Sequence, residues 1–224
     1  MSSHPLMVFD LDGTLVDTIH DLLATLNHVL ADIGCAPVPT EAAQAMVGGG
    51  ARLMLERGLA ASDKPASPAE LDQLFEQFLV HYHTNIAVHS RPFPGVLEAM
   101  ARFRAHGWRF AVCTNKLERL SRKLLDELDL TQHFEAICGS DTFANKKPHP
   151  EHLLKTIAQA GGDPRRAVMI GDSRTDIDTA KAAGVPVVAV DFGYTDVPVT
   201  QLGPDQVISH YDALDAAVAE LLPS

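Results

Sequence analysis

Two aspartates stand two residues apart in Phe9-Asp10-Leu11-Asp12-Gly13-Thr14-Leu15, directly after the short apolar run Leu6-Met7-Val8. A buried strand cannot hide both, because an unpaired carboxylate stripped of its hydration is strongly destabilising. They belong where the strand ends, facing a cation or a reacting group, and Gly13 permits a sharp turn there. A calcium loop shares the Asp-x-Asp-Gly spacing, but it needs further oxygen ligands at alternate positions and a closing glutamate. This chain runs instead through Thr14-Leu15-Val16-Asp17-Thr18 into an apolar helix. Downstream, Thr114-Asn115-Lys116, Lys146-Lys147-Pro148 and Gly171-Asp172-Ser173 with Asp176 each follow an apolar run or lie in a loop. Three carboxylates with a hydroxyl and a lysine alongside suit a hard, oxygen-seeking ion such as magnesium together with a phosphoryl group. Acids alone would repel phosphate. The ion and Lys147 reverse that sign, while the Thr114 hydroxyl and neighbouring backbone amides hold the remaining oxygens.

The elements that must position these groups can be read from periodicity. Ile19, Leu22, Leu23, Leu26, Val29, Leu30 and Ile33 recur at helical spacing, and Gly34 ends the run. Thr40 with Glu41 starts a second helix, Gly48-Gly49-Gly50 interrupts it, and Ala51 to Leu59 resumes as a third. Ser67-Pro68-Ala69-Glu70 opens a further helix with a capping box, followed by an apolar face of Leu71, Leu74, Phe75, Phe78, Leu79 and Tyr82. Everything from Val16 to about Ser90 is therefore expected to be helical. From Phe93 onward short apolar strands alternate with helices: strands at 109–114, 136–139, 167–171, 187–191 and near Val207, helices at 95–105, 117–128, 150–160, 176–183 and 211–221. That texture predicts an α/β fold, a Rossmann-like parallel sheet with helices on both faces. The first strand joins that sheet, so residues 1–15 and 91–224 form the core and the all-α block 16–90 is inserted into it. In such a sheet ligands bind at the carboxyl ends of the strands, where all the groups above fall.

Composition narrows the classes. The chain has 224 residues and a net charge of -11, which disfavours nucleic acid as a partner because a phosphate backbone needs a basic face. The hydrophobic fraction of 46% has no stretch long enough to span a membrane, and Met1-Ser2-Ser3-His4-Pro5 lacks the basic flank of a signal peptide, so a cytoplasmic enzyme is expected. Cys35, Cys113 and Cys138 have no metal-site spacing and are read as reduced and structural. His81 and His83, two apart on a helix, cannot share one ion. Whether the chain is a monomer or a homodimer is left open by its sequence.

The ordered set Asp-x-Asp-Gly-Thr, a strand ending in Thr114, then Lys147, then Gly171-Asp172-Ser173-x-x-Asp176, resembles the haloacid dehalogenase superfamily of phosphohydrolases. The resemblance implies that Asp10 is the nucleophile and carries the phosphoryl group, and that Asp12 protonates the leaving oxygen and then activates water. It also implies magnesium held by Asp10, the backbone carbonyl of Asp12, and Asp172, with Asp176 positioning Asp172 or Lys147 and Ser173 capping a helix beside them. The inserted block resembles the superfamily's helical cap, which selects substrate. Within the superfamily, Thr114-Asn115-Lys116 and Lys147-Pro148-His149-Pro150 are most similar to the phosphoglycolate phosphatases. A small anionic phosphate ester is then the substrate, with Lys116 and Arg52 reading its second anionic group. A dehalogenase does not need Asp12, and a phosphonatase needs a lysine in its cap that can form a Schiff base, whereas Lys64 lies in a loop. Pyrophosphatase, sugar-phosphate phosphatase and phosphohexomutase activities remain open alternatives. A non-catalytic phosphate-binding regulator would be expected to lack Asp10, Asp12 or Lys147, and none is missing.

Overall fold

A computed structural model describes residues 4–40, 42, 46, 47 and 50–222. Its centre is one parallel sheet of β1 (Leu6–Phe9), β4 (Arg109–Cys113), β5 (Ala136–Cys138), β6 (Ala167–Gly171), β7 (Val187–Val190) and β8 (Gln206–Ile208). The strand order is β5-β4-β1-β6-β7-β8. Strand β1 is apolar at every position because both its faces are covered. Met7 and Phe9 face a layer built from Val96, Met100 and Phe103 of α4 (Val96–Ala105), Leu120 and Leu124 of α5 (Glu118–Glu127), and Leu214 and Val218 of α8 (Leu214–Leu221). Leu6 and Val8 face Leu153 and Ile157 of α6 (Pro150–Gln159) and Ile177 and Ala180 of α7 (Arg174–Ala183).

Between β1 and α4 the chain builds a helical block of α1 (Ile19–Asp32), α2 (Ala51–Ala61) and α3 (Pro68–Thr84). Leu26 and Leu30, Met54 and Leu55, and Leu74 and Phe78 belong to its shared apolar interior. Helix α3 starts on the expected capping box of Ser67 and Glu70. The helix expected from Thr40 falls largely outside the described residues, as do Gly48 and Gly49.

The expectation that everything from Val16 onward is helical fails at its first two residues. Val16–Asp17 forms strand β2, which pairs antiparallel with Arg91–Pro92, strand β3. Two residues are too few to display an alternating pattern, and their partner lies at the far end of the helical block. The two crossings are also tied by Asp21, a buried acid of α1 whose carboxylate accepts the Ser90 N–H at 2.8 Å and the Ser90 hydroxyl at 2.7 Å. Among the described residues no helix is long and apolar enough to cross a membrane, and all three cysteines are free.

Candidate active site

Asp10 is the first residue past β1, and its N–H still bonds the Ile170 carbonyl of β6 at 2.9 Å, so the neighbouring strand fixes where its side chain starts. Its Oδ1 accepts the Leu11 N–H at 2.7 Å and lies 3.0 Å from Lys147 Nζ. The chain turns at Gly13, with φ at +82°, and a β-carbon there would stand 2.3 Å from Asp172 Oδ2. Only glycine serves both the left-handed turn and the close approach. Asp172, just past β6, accepts the Thr14 hydroxyl at 3.2 Å on Oδ1 and the Tyr194 N–H at 2.6 Å on Oδ2. Asp176, in the first turn of α7, accepts the Ser173 hydroxyl at 2.6 Å and the Ser173 N–H at 3.1 Å on Oδ2, while Oδ1 meets Lys147 Nζ at 2.6 Å. Gly171 makes room for it, since a β-carbon there would stand 2.3 Å from that of Asp176.

Oxygens of Asp10, Asp172 and Asp176 come within 4.8 Å of one another, and all three residues are buried. Burial, Asp176 and to a smaller degree Asp12 raise the Asp10 carboxyl to about 6, against the pull of Lys147. Burial, then Asp176 and Asp10, push Asp172 well above the ordinary carboxylate range. Burial alone would lower the Lys147 ammonium, but Asp10 and Asp176 outweigh it and hold it above the usual lysine value. One ammonium facing three close acids leaves negative charge uncompensated. An all-oxygen donor set of this kind fits a hard divalent cation, whose charge would reverse these shifts.

Asp12 points elsewhere. Its Oδ1 accepts the Thr18 hydroxyl at 2.7 Å, and Lys116 Nζ lies 2.7 and 3.0 Å from its two oxygens. Lys116 therefore stands on Asp12 and, on its other side, over the Tyr82 ring of α3, with Nζ 4.6 Å from the ring centroid. Thr114, the first residue past β4, is buried, and its Oγ1 accepts the Lys116 N–H at 3.2 Å. Asn115 donates from Nδ2 to the Lys147 carbonyl at 3.1 Å, joining the two cationic loops. Arg52, on α2, lines the same cleft as Asp10, Asp12, Thr114 and Lys116, and its guanidinium lies 2.6 Å from Asp72. The structure thus brings all the expected residues to one sheet edge and its facing helices, with Lys116 and Arg52 each already paired to an acid.

Sequence reasoning missed two tyrosines. Tyr194 spans the site: its N–H holds Asp172, and its hydroxyl accepts the Thr18 N–H at 2.8 Å and the Ile19 N–H at 3.0 Å while donating to Asp17. The sequence signal was a Gly-Tyr pair just past a strand end, where Gly193 also packs on Asp172. Tyr82 appears in the sequence as one more apolar position of a helix face, and nothing local marks it as the residue beneath Lys116.

Residues 7–190 match the sequence profile of the haloacid dehalogenase-like hydrolases. A phosphoglycolate phosphatase of Mesorhizobium japonicum is 56% identical over 220 residues, covering 98% of this chain and 97% of its own. One of Agrobacterium fabrum is 47% identical over 98% of this chain and 94% of its own. The crystal structure of a predicted phosphoglycolate phosphatase from Haemophilus somnus superposes with a TM-score of 0.89 at 28% identity, covering 97% of this chain and 99% of that one. The edge of acids past β1 and β6, the lysine between them and these likenesses agree: the chain belongs to the haloacid dehalogenase-like hydrolases.

Proposed function

We propose that the chain is a cytoplasmic, magnesium-dependent phosphatase that hydrolyses a small phosphate monoester, 2-phosphoglycolate foremost, through a phosphorylated Asp10. The observation that carries this reading is Asp10 itself, a buried carboxylate held by Lys147 with a second acid two residues on, on the wall of a cleft that also holds Lys116 and Arg52. Relatives named phosphoglycolate phosphatase, similar over nearly their whole length, support the substrate.

Asp10, Asp172 and the backbone carbonyl of Asp12 would hold the magnesium ion, with Asp176 behind them, and the ion would supply the charge that lets acids face a phosphoryl group. The chain's own residues do the rest. A carboxylate oxygen of Asp10 forms a bond to phosphorus as the ester oxygen leaves, and Asp12 delivers a proton to that oxygen. Water then attacks phosphorus while Asp12 takes its proton, and the bond to Asp10 breaks to release phosphate and restore the carboxylate. Lys147 neutralises phosphoryl oxygens, and the Thr114 hydroxyl donates to one of them. Residues 16–90 act as a cap on the core formed by 1–15 and 91–224. Lys116 from the core and Arg52 from the cap take the substrate's carboxylate, each exchanging an internal acid, Asp12 or Asp72, for the external one.

Trapping with beryllofluoride and magnesium, followed by mass spectrometry, tests the covalent step. The label is expected on Asp10, and an active Asp10→Ala enzyme would overturn the mechanism. A panel of 2-phosphoglycolate, pyrophosphate and sugar phosphates tests the substrate, with the first expected to give the highest kcat/KM.

A further inference from the structure

Tyr82 is fully buried and lines the cleft, and its hydroxyl has no hydrogen-bond partner within 3.5 Å among the described residues; the Lys116 ammonium beside it is itself a donor, so the hydroxyl proton has no acceptor. Buried hydroxyls are normally satisfied, because an unpaired one has lost its water for nothing. The ring itself is accounted for, since one face carries the Lys116 ammonium and the ring packs toward Phe78 at 5.9 Å between centroids. Phenylalanine would fill the same place without burying a polar atom. The hydroxyl is what needs explaining.

Its surroundings limit what it can meet. Burial pushes the Tyr82 phenol up to about 12, so near neutrality it keeps its proton and can donate. The neighbouring cation is also a donor. Two donors side by side in one wall converge on an acceptor, and an anion is the acceptor that satisfies both. The phosphoryl end of a substrate is directed to Lys147 and the acids past β1 and β6, which leaves the opposite end for this wall. Asn115 Oδ1, the cleft's other unpartnered buried atom among the described residues, is an acceptor and has nothing to offer an anion.

We propose that Tyr82 is a specificity-determining residue whose hydroxyl, with the Lys116 ammonium, donates to the carboxylate of a short phosphorylated carboxylic acid. The inference rests on the phosphatase reading above and extends it to a side chain of α3. The hydroxyl is closed to water while Lys116 stands on Asp12, and it meets the carboxylate as that ammonium exchanges Asp12 for the substrate. A site with a dry, unpaired donor also rejects analogues that lack the acceptor.

The test compares 2-phosphoglycolate with ethyl phosphate, which has the same phosphoryl end and no carboxylate, on the full chain and on Tyr82→Phe. The variant keeps the ring and should lose about 10- to 100-fold in kcat/KM on 2-phosphoglycolate, the range for a hydrogen bond to a charged group, while ethyl phosphate changes by less than about twofold. Binding without turnover gives a second readout. By calorimetry, Tyr82→Phe should weaken 3-phosphonopropionate and leave propylphosphonate unchanged, with the thermal midpoint held or raised. Equal losses on both substrates, no loss on either, or a lowered midpoint with parallel losses would overturn the role of Tyr82. If the unaltered protein shows no preference for 2-phosphoglycolate over ethyl phosphate, the substrate reading falls and takes this inference with it.

Discussion

Asp10 and Asp12 are separated by one leucine, yet one faces two further acids and a lysine while the other is clasped between Lys116 and Thr18. A carboxyl raised from 3.8 to about 6 on folding holds its proton over a window in which the unfolded chain has released it. With respect to this group, metal-free protein therefore loses stability as pH rises from about 4 to 6, the reverse of a salt-bridged aspartate. Melting of the metal-free protein should reach a higher midpoint at pH 5 than at pH 7. Asp10→Asn should flatten that slope and raise the midpoint at pH 7, as should magnesium added to the unaltered chain. A midpoint that climbs steadily from pH 4 to 7 without metal would contradict this. For Asp12→Asn, turnover should fall by about 10²- to 10⁴-fold, the usual cost of losing a general acid and base. Steady-state kinetics checks it, and an effect under tenfold would remove Asp12 from proton transfer. The acids were legible in the sequence because charged residues at the ends of apolar runs have no inexpensive structural explanation, whereas Lys147, a loop lysine, was legible only through its place in the ordered set of motifs. Tyr82 was not, because a tyrosine on an apolar helix face reads as core, and Tyr194 was not, because a tyrosine in a loop past a strand end has no visible role until its partners, far away in the chain, are known.

The turn from β1 toward β2 does two things at once: it reverses the chain at Gly13 and brings that backbone against Asp172. Replacing Gly13 by alanine should cost about 1 to 2 kcal/mol for the left-handed backbone alone. The displaced Asp172 carboxylate adds to that. Gly13→Ala should therefore melt lower and lose magnesium binding by calorimetry, whereas alanine at Gly107, whose φ is also +82° but which has open space around it, should only melt lower. Equal magnesium binding in both variants would show that the close approach does not matter. At this scale the alternation of strands and helices was plain in the sequence, with ends displaced by up to three residues. The β2 and β3 pair was not, since a two-residue strand is defined by its partner. The engagement of Lys116 with Asp12 and of Arg52 with Asp72 was equally hidden, because a cation's choice among nearby acids is decided by packing between distant segments.

In the whole molecule, the strand made first waits longest for its second neighbour. Strand β1 lies between β4 and β6, so its neighbours are supplied by residues 109–113 and 167–171. The first turn of α1 waits longer still, for the hydroxyl of Tyr194. On a ribosome adding roughly 5 to 20 residues each second, the early strand must spend several seconds with one hydrogen-bonding flank open. An exposed flank of that kind invites pairing with other chains. A fragment ending at Ala160 should therefore lack a cooperative melting transition and associate with itself, and supplying residues 161–224 as a separate chain should restore the transition. A fragment that melted cooperatively alone would show that β4 and the helices suffice. The acids of the site would then be set in place, two before β1 has either neighbour and two after it has both, by a chain that cannot test their geometry until its last quarter has been made.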